Sequence, residues 1–163
     1  MVTEGRRPGS MLSLLDRLTD LQPESKTEPP MSSWEEMREF KASLCRDLEA
    51  ILNTRRAEED FDPAYEEATN SLLTFGVADF TAYNVQNSIE QERVRLSIER
   101  AIRKFEPRLA RVTVTMAEPD PLRPLLRFEI AALLQVNAAA EPVLFEVALH
   151  RDLRRMAVSG ADL

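Results

Sequence analysis

The chain has 163 residues, of which 44% are apolar and 30% are charged, and its formal net charge is −7. This length and balance predict one globular domain with its own core, and the acidic charge argues against nucleic-acid binding, whose affinity comes largely from lysine and arginine. A single cysteine and a single histidine argue against a disulfide framework and a Cys/His metal site. No apolar run approaches the roughly 20 residues that span a membrane. We therefore expect a cytoplasmic protein without cofactors.

Residues 1–33 predict an N-terminal arm that precedes a single domain at residues 34–163. A short helix should follow Ser10, because apolar side chains recur at helical spacing. These side chains are Met11, Leu14, Leu15, Leu18 and Leu21. Residues 22–33 are polar and rich in proline, which is typical of a linker. A helix this short needs a surface to pack on, and the pattern leaves open whether its own domain or a partner provides that surface.

The longest predicted helix runs from about Trp34 to about Thr54. Ser33 and Glu36 have the spacing of a capping box, in which each side chain satisfies a backbone N–H at the start of the helix. The expected buried stripe is Trp34, Met37, Phe40, Leu44, Leu48 and Ile51. The helix should therefore be amphipathic, with one face against the core.

Two more helices should follow. One should begin after Asp62-Pro63 and end at Gly76, and the next should be capped by Asn87 and end before Pro107. Their expected apolar faces are Tyr65, Ala68, Leu72 and Phe75 in the first, and Val94, Ile98, Ala101, Ile102 and Phe105 in the second.

After Pro107 the apolar period changes to two, which predicts three antiparallel strands. The alternating positions are 112–116, 126–136 and 143–149, with loops at residues 118–124 and 137–142, and residues 155–158 admit a short fourth strand. The expected fold class is α+β: about three helices, then a three- to four-stranded antiparallel sheet, with a mobile N-terminal arm.

Positive charge is concentrated between residues 91 and 111, which include seven basic and three acidic side chains. One interpretation is a solvated helix face with offsetting pairs such as Glu99 and Arg103, four residues apart. The other is a docking face for an acidic protein partner. Charge alone favours the first and leaves the second open.

Five short motifs in order resemble the TssE family, the small wedge subunits of the type VI secretion baseplate. They are residues 13–18 (SLLDRL), 46–56 (RDLEAILNTRR), 70–80 (NSLLTFGVADF), 105–109 (FEPRL) and the strand residues 112–114 (VTV). One departure is Ala78, where the family commonly has proline.

The resemblance implies a non-catalytic structural subunit of a contractile injection machine. Such subunits assemble the wedge with TssF, TssG and TssK, in a cytoplasmic baseplate docked at the inner membrane, and lie near the first sheath ring of TssB and TssC. Because contractile sheaths are linked by exchanged strands, we expect an unblunted sheet edge to receive a sheath arm. The candidate edges are residues 143–149 and the strand after them.

The candidate partner-binding residues form two groups: Glu106, Pro107 and Arg108 at the corner after the third helix, and Leu14, Leu15 and Leu18 in the arm. Proline fixes the backbone, so Glu106 and Arg108 should project from a rigid corner that suits bidentate recognition. From the residues alone, a helix stop with a local ion pair is the simpler interpretation. The resemblance, in which this motif contributes to wedge assembly, favours the partner site.

Two other functions are alternatives to a structural subunit. The family also carries the label "lysozyme-like", and Glu106 would be the acid of a cell-wall glycosidase. However, Arg103 and Arg108 are close in sequence, cations favour an ionised carboxylate, and no second carboxylate stands out. The remaining alternative is an unrelated cytoplasmic adaptor.

Overall fold

The computed structural model describes residues 13–19, 23–24, 32–56, 61–62, 64–80, 87–118, 126–136, 139–150 and 155–161. The elements in chain order are helices α1 (Leu14–Leu18), α2 (Ser33–Asn53) and α3 (Glu66–Thr69), a short 3₁₀ helix (Leu72–Thr74), helix α4 (Ser88–Phe105), and strands β1 (Leu109–Met116), β2 (Leu126–Val136), β3 (Ala139–His150) and β4 (Arg155–Ala161). The strands form one antiparallel sheet in the order β1-β2-β3-β4, which confirms the α+β class. No helix within these ranges is both long enough and apolar enough to cross a membrane.

The core lies between one face of the sheet and the two long helices. Helix α2 packs mainly on β4 and α4 mainly on β1, so the helices cover opposite halves of the sheet. The largest fully buried side chains are Phe40, Leu44, Leu48, Ile98, Ile102, Val112, Val114, Phe128, Ile130, Leu134, Phe145 and Val147. These positions follow the predicted helical stripes and strand alternation, and together they form one continuous core.

The start of α2 differs by one residue from the prediction. The capping box is formed by Ser32 and Glu35, not by Ser33 and Glu36: the Ser32 N–H donates to the Glu35 carboxylate at 2.8 Å, and the Glu35 N–H donates to the Ser32 hydroxyl at 3.3 Å. Both pairs have the required spacing, so the sequence alone does not choose between them. With Ser33 as the first helical residue, Trp34 is 69% exposed and does not belong to the buried stripe.

The helix predicted between Pro63 and Gly76 is much shorter than expected. Only Glu66–Thr69 is α-helical, and a 3₁₀ helix follows; Pro63 lies outside the described residues. Side chains compete here with the helical hydrogen bonds, because the Ser71 hydroxyl accepts from the Leu73 N–H and the Thr74 hydroxyl donates to backbone carbonyls at 2.9 Å.

Gly76 closes this irregular segment onto the end of α2. Its φ is +98°, and a Cβ at this position would lie 2.2 Å from the Thr54 carbonyl oxygen. The adjacent Val77 N–H donates to that same oxygen at 2.9 Å, and the Val77 carbonyl accepts from the Arg56 N–H at 2.8 Å. The glycine therefore permits a close backbone contact rather than ending a helix.

Helix α4 has the predicted ends. The Asn87 side chain accepts from the Ile89 N–H at 2.9 Å, and the helix ends at Phe105, with Glu106 as its C-cap and Pro107 next. Its predicted buried positions are confirmed, except that Phe105 is only partly buried.

Strand β3 begins earlier than predicted. It starts at Ala139, so Pro142 lies within the strand, opposite Leu133, and not in a loop. Strand β3 also pairs with both β2 and β4, so the candidate edge at residues 143–149 is wrong and the fourth strand is the outer one. The predicted loop at residues 118–124 lies, after Glu118, outside the described residues.

Side chains of α2 cover the outer edge of β4. Asn53 accepts from the Met156 N–H and donates to the Met156 carbonyl, both at 2.8 Å, and Glu49 accepts from the Val158 N–H at 2.9 Å. One turn earlier, the Cys45 sulfur lies beside the Gly160 backbone, 3.8 Å from where a Cβ on Gly160 would be. The expectation of an unblunted edge at β4 is therefore wrong, because α2 already binds the Met156 and Val158 N–H groups of this edge.

Side chains of α4 cover the opposite edge in the same way. Arg103 donates to the Val112 carbonyl at 2.7 Å, Arg95 donates to the Val114 carbonyl at 2.9 Å, and Glu99 accepts from the Val114 N–H at 3.3 Å. Both edges of the sheet are thus capped near their centres by polar side chains of the long helices.

Candidate functional site

The corner between α4 and β1 is held by backbone bonds on both sides. The Glu106 N–H donates to the Ile102 carbonyl at 2.9 Å, and the Leu109 N–H donates back to the Glu106 carbonyl at 3.2 Å. The Arg108 carbonyl then accepts from the Gln135 N–H of β2 at 2.9 Å. Pro107 is exposed at the tip of this fixed turn.

The two charged residues of the motif bind each other. The Arg108 guanidinium donates to both carboxylate oxygens of Glu106, at 2.7 and 2.5 Å, and the Arg108 N–H donates to one of them at 3.1 Å. Glu106 is only 2% exposed, so this fork compensates a buried charge. The hydrogen bonds to Glu106 raise the pKa of Arg108 although burial opposes the shift.

Asp47 of α2 is a third member of the cluster. Its carboxylate accepts from Arg108 at 2.6 Å, and the guanidinium also lies over the Phe40 ring, 5.7 Å from its centroid. Asp47 is 61 residues away in the chain and was part of a recognised motif without an assigned role. Its only sequence signal was that motif, because nothing local links it to Arg108.

The geometry corrects one expectation about the corner. Glu106 does not project from it; its carboxylate points inward and holds Arg108 in place. Arg108 keeps 22% of its side chain exposed, so Pro107 and Arg108 are the members of the motif that reach the surface. The ion pair of the simpler interpretation is present, and recognition of a partner by this corner stays a prediction.

An open cleft of about 490 Å³ connects the corner to the arm. Its lining includes Asp47, Pro107 and Arg108, and also Ser13, the N-cap of α1. The structure therefore brings one end of the arm helix to the same cleft as residues 106–108 at the corner, although the whole of α2 and α4 separates the two in sequence.

Helix α1 is attached through its polar side. Asp16 accepts from the hydroxyls of Ser13 and Ser43 and from the Arg46 guanidinium, the last at 2.8 Å. Burial alone would raise the pKa of Asp16, but these hydrogen bonds prevail and lower it to about 2. The carboxylate is thus ionised at neutral pH and joins α1 to α2.

The leucines of α1 point away from the domain. Leu14, Leu15 and Leu18 are 69%, 72% and 75% exposed. The described part of the arm therefore packs on its own domain through Asp16 and leaves its apolar side in solvent. Met11, Leu21 and most of the predicted linker lie outside the described residues.

The corner lacks the arrangement of a glycosidase acid. Such an acid must carry a proton, whereas both oxygens of Glu106 accept hydrogen bonds from Arg108. Asp47, the nearest described carboxylate of the cluster, binds the same guanidinium. Across the described ranges, no three His, Cys, Asp or Glu side chains come together to hold a metal ion.

One comparison with known proteins identifies the family. The family model described as baseplate wedge protein gp25 matches residues 38–139, which extend from α2 to the start of β3 and include Asp47 and the corner. No individual curated protein matches the chain. Because the family model covers more than half of the chain, this chain belongs to the family of baseplate wedge protein gp25.

Proposed function

We propose that this chain is a non-catalytic subunit of a type VI secretion baseplate, which assembles the wedge and helps to nucleate the contractile sheath. Its partners are then the wedge proteins TssF, TssG and TssK and the sheath proteins TssB and TssC. It works in the cytoplasm, in a baseplate docked at the inner membrane. Membership of the baseplate wedge family supports the structural role, and the TssE-like motifs support the secretion system.

The observation that carries the proposal is the shared cleft of the corner and α1. Arg108 is fixed by two carboxylates, so it presents one defined geometry, and Pro107 adds a rigid exposed rim. Three exposed leucines on α1 lie on the helix whose cap lines the same cleft. A fixed cation beside exposed apolar side chains is typical of a protein-binding surface rather than of a catalytic one.

The leucines allow a clean test, because they contribute little to the core. Replacement of Leu15 and Leu18 by serine should leave the melting temperature almost unchanged and should abolish co-purification with the wedge. The matched control replaces Leu72 and Leu73 of the 3₁₀ helix by serine; these leucines are 84% and 57% exposed and are not among the residues that line the cleft.

The two variants separate the possible results. If the Leu15/Leu18 variant joins the wedge as well as the control does, α1 is not a wedge-binding element. If both variants fail equally, loss of surface leucines in general impairs assembly, and the cleft has no special role.

A further inference from the structure

The two polar sides of α4 differ in how their charges are used. Arg95 binds Glu92 at 2.6 Å and Glu99 at 2.8 Å, and Arg103 binds Glu99 at 2.8 Å. Both arginines also donate to carbonyls of β1. The offsetting pairs expected from the sequence are therefore present on the side of α4 that covers the sheet edge. They involve two of the three carboxylates of α4, those of Glu92 and Glu99.

The other polar side of α4 is cationic. Arg93, Ser97, Arg100 and Lys104 follow one another at intervals of four, three and four residues and so lie on one side of the helix. Within the described ranges, neither Arg93 nor Arg100 has an ion-pair partner. Within residues 91–111, the positive stretch is thus divided into a paired side and a cationic side, which Glu90 precedes by one turn of α4.

This cationic side forms one wall of a second cleft, of about 390 Å³. Arg93, Arg100 and Lys104 line it together with Arg56 from beyond the end of α2. No described residue of the lining is acidic, and Phe61 and other apolar side chains lie among the cations. The volume is in the ordinary range for a binding site, about 300–1,000 Å³.

One cation of the cleft is held in position. The Lys104 ammonium donates to the Thr69 carbonyl and, at 2.7 Å, to the Thr74 hydroxyl. Both residues belong to the irregular segment that Gly76 closes onto α2. The break in the predicted second helix therefore has a consequence: it supplies oxygen atoms that fix Lys104 at the cleft.

We propose that this cleft, which we call the basic cleft, binds an acidic segment of a partner protein in the baseplate. Arg93, Arg100 and Lys104 meet in one depression of a chain with net charge −7, and they give this depression local complementarity to carboxylates. The apolar side chains between them suit a peptide better than a small inorganic anion. A nucleic acid strand needs a longer cationic track than one cleft provides. This inference rests on the proposed function only in placing the acidic segment on another protein of the baseplate.

The test uses the isolated full chain and a fluorescein-labelled hexaglutamate peptide. Fluorescence anisotropy should report binding that weakens with added salt. Arg93→Ala/Arg100→Ala should weaken it about tenfold, since each exposed ion pair contributes modestly. The control, Arg38→Ala/Arg155→Ala, removes the same charge from exposed positions outside the cleft and should bind like the wild type.

Equal weakening in both variants would overturn the proposal, because binding would follow net charge alone. Tighter binding of a single-stranded hexanucleotide than of the peptide would assign the cleft to nucleic acid instead. The chain also carries Glu58, Glu59 and Asp60 between Arg56 and Phe61. If only the Glu58→Gln/Glu59→Gln/Asp60→Asn variant binds the peptide, the cleft serves the chain's own acidic segment; if no form binds, it has no acidic ligand. A chain that joins the wedge but fails in this assay refutes the basic cleft and leaves the proposed function intact.

Discussion

Replacement of Arg108 by alanine should destabilise the domain before it affects any partner. The substitution leaves Glu106 buried, with 2% of its surface exposed, and removes both guanidinium bonds to its carboxylate. Breaking a buried pair in this way costs about 3–5 kcal/mol. We expect the lower end, about 3 kcal/mol, because Asp47 keeps 30% of its side chain exposed and can turn to water.

That free energy converts to a measurable shift in melting temperature. For a domain of this size, 1 kcal/mol corresponds to roughly 2–4 °C, so Arg108→Ala should melt roughly 6–12 °C lower. The matched control is Arg46→Ala, which removes another arginine bound to a carboxylate, but one whose side chain is 59% exposed. Its loss should cost less than about 1 kcal/mol.

A double variant tests the cause of the loss. Glu106→Met/Arg108→Met removes both charges and keeps side chains of similar length, so no buried carboxylate is left without a partner. It should melt higher than Arg108→Ala, since apolar replacement of a buried pair is often close to neutral. A double variant that melts no higher than the single variant, or a single variant that melts like Arg46→Ala, would refute this account of the corner.

Three further outcomes follow from the contacts. Asn53→Ala should lower stability by about 1–3 kcal/mol in urea unfolding, and sedimentation should detect self-association, because both Met156 backbone groups at the β4 edge lose their partner. Gly76→Ala should cost more than about 1 kcal/mol, since φ is +98° and the new methyl group would meet Thr54; an unchanged urea midpoint would contradict the strain. The pKa of Asp16 is lowered from 3.8 to about 2, so the docking of α1 on α2 should be complete above pH 4 and lost as the pH falls towards 2. NMR spectra of the backbone amides of α1 can follow this loss, and the Asp16→Asn variant should show no such transition.

Periodic patterns of apolar residues predicted the long helices and strands, because the side chains at the helical or strand spacing are the ones buried in the core. The stripe from Phe40 to Ile51, the stripe of α4 and the alternation in the strands all correspond to buried positions. The same pattern overestimated the length of the helix predicted between Pro63 and Gly76. Its apolar spacing is helical, but Ser71 and Thr74 bind nearby backbone groups and break the helix, while Leu72 stays exposed.

The edges of the sheet were mispredicted for a different reason. Cys45, Glu49 and Asn53 are spaced four residues apart on α2, and from sequence they read as the polar margin of an amphipathic helix. Only the packing of α2 along β4 shows that Glu49 and Asn53 bind edge N–H groups and that Cys45 lies beside the Gly160 backbone. The same limit applies to Asp47, whose contact with Arg108 spans 61 residues.

Because side chains of α2 and α4 bind backbone groups at both sheet edges, the two clefts become the candidate partner surfaces. The cleft at the corner between α4 and β1 and the basic cleft share Phe105, which lines both and packs edge-on against Phe75 with ring centroids 4.9 Å apart. A substitution at Phe105 would therefore alter both clefts at once and could not assign a binding defect to either. Variants at Leu15 and Leu18 on one side, and at Arg93 and Arg100 on the other, change exposed atoms only. If the two clefts serve different partners, the leucine variants should affect only wedge assembly and the arginine variants only peptide binding. If a single partner occupies both clefts, each pair of variants should affect both measurements.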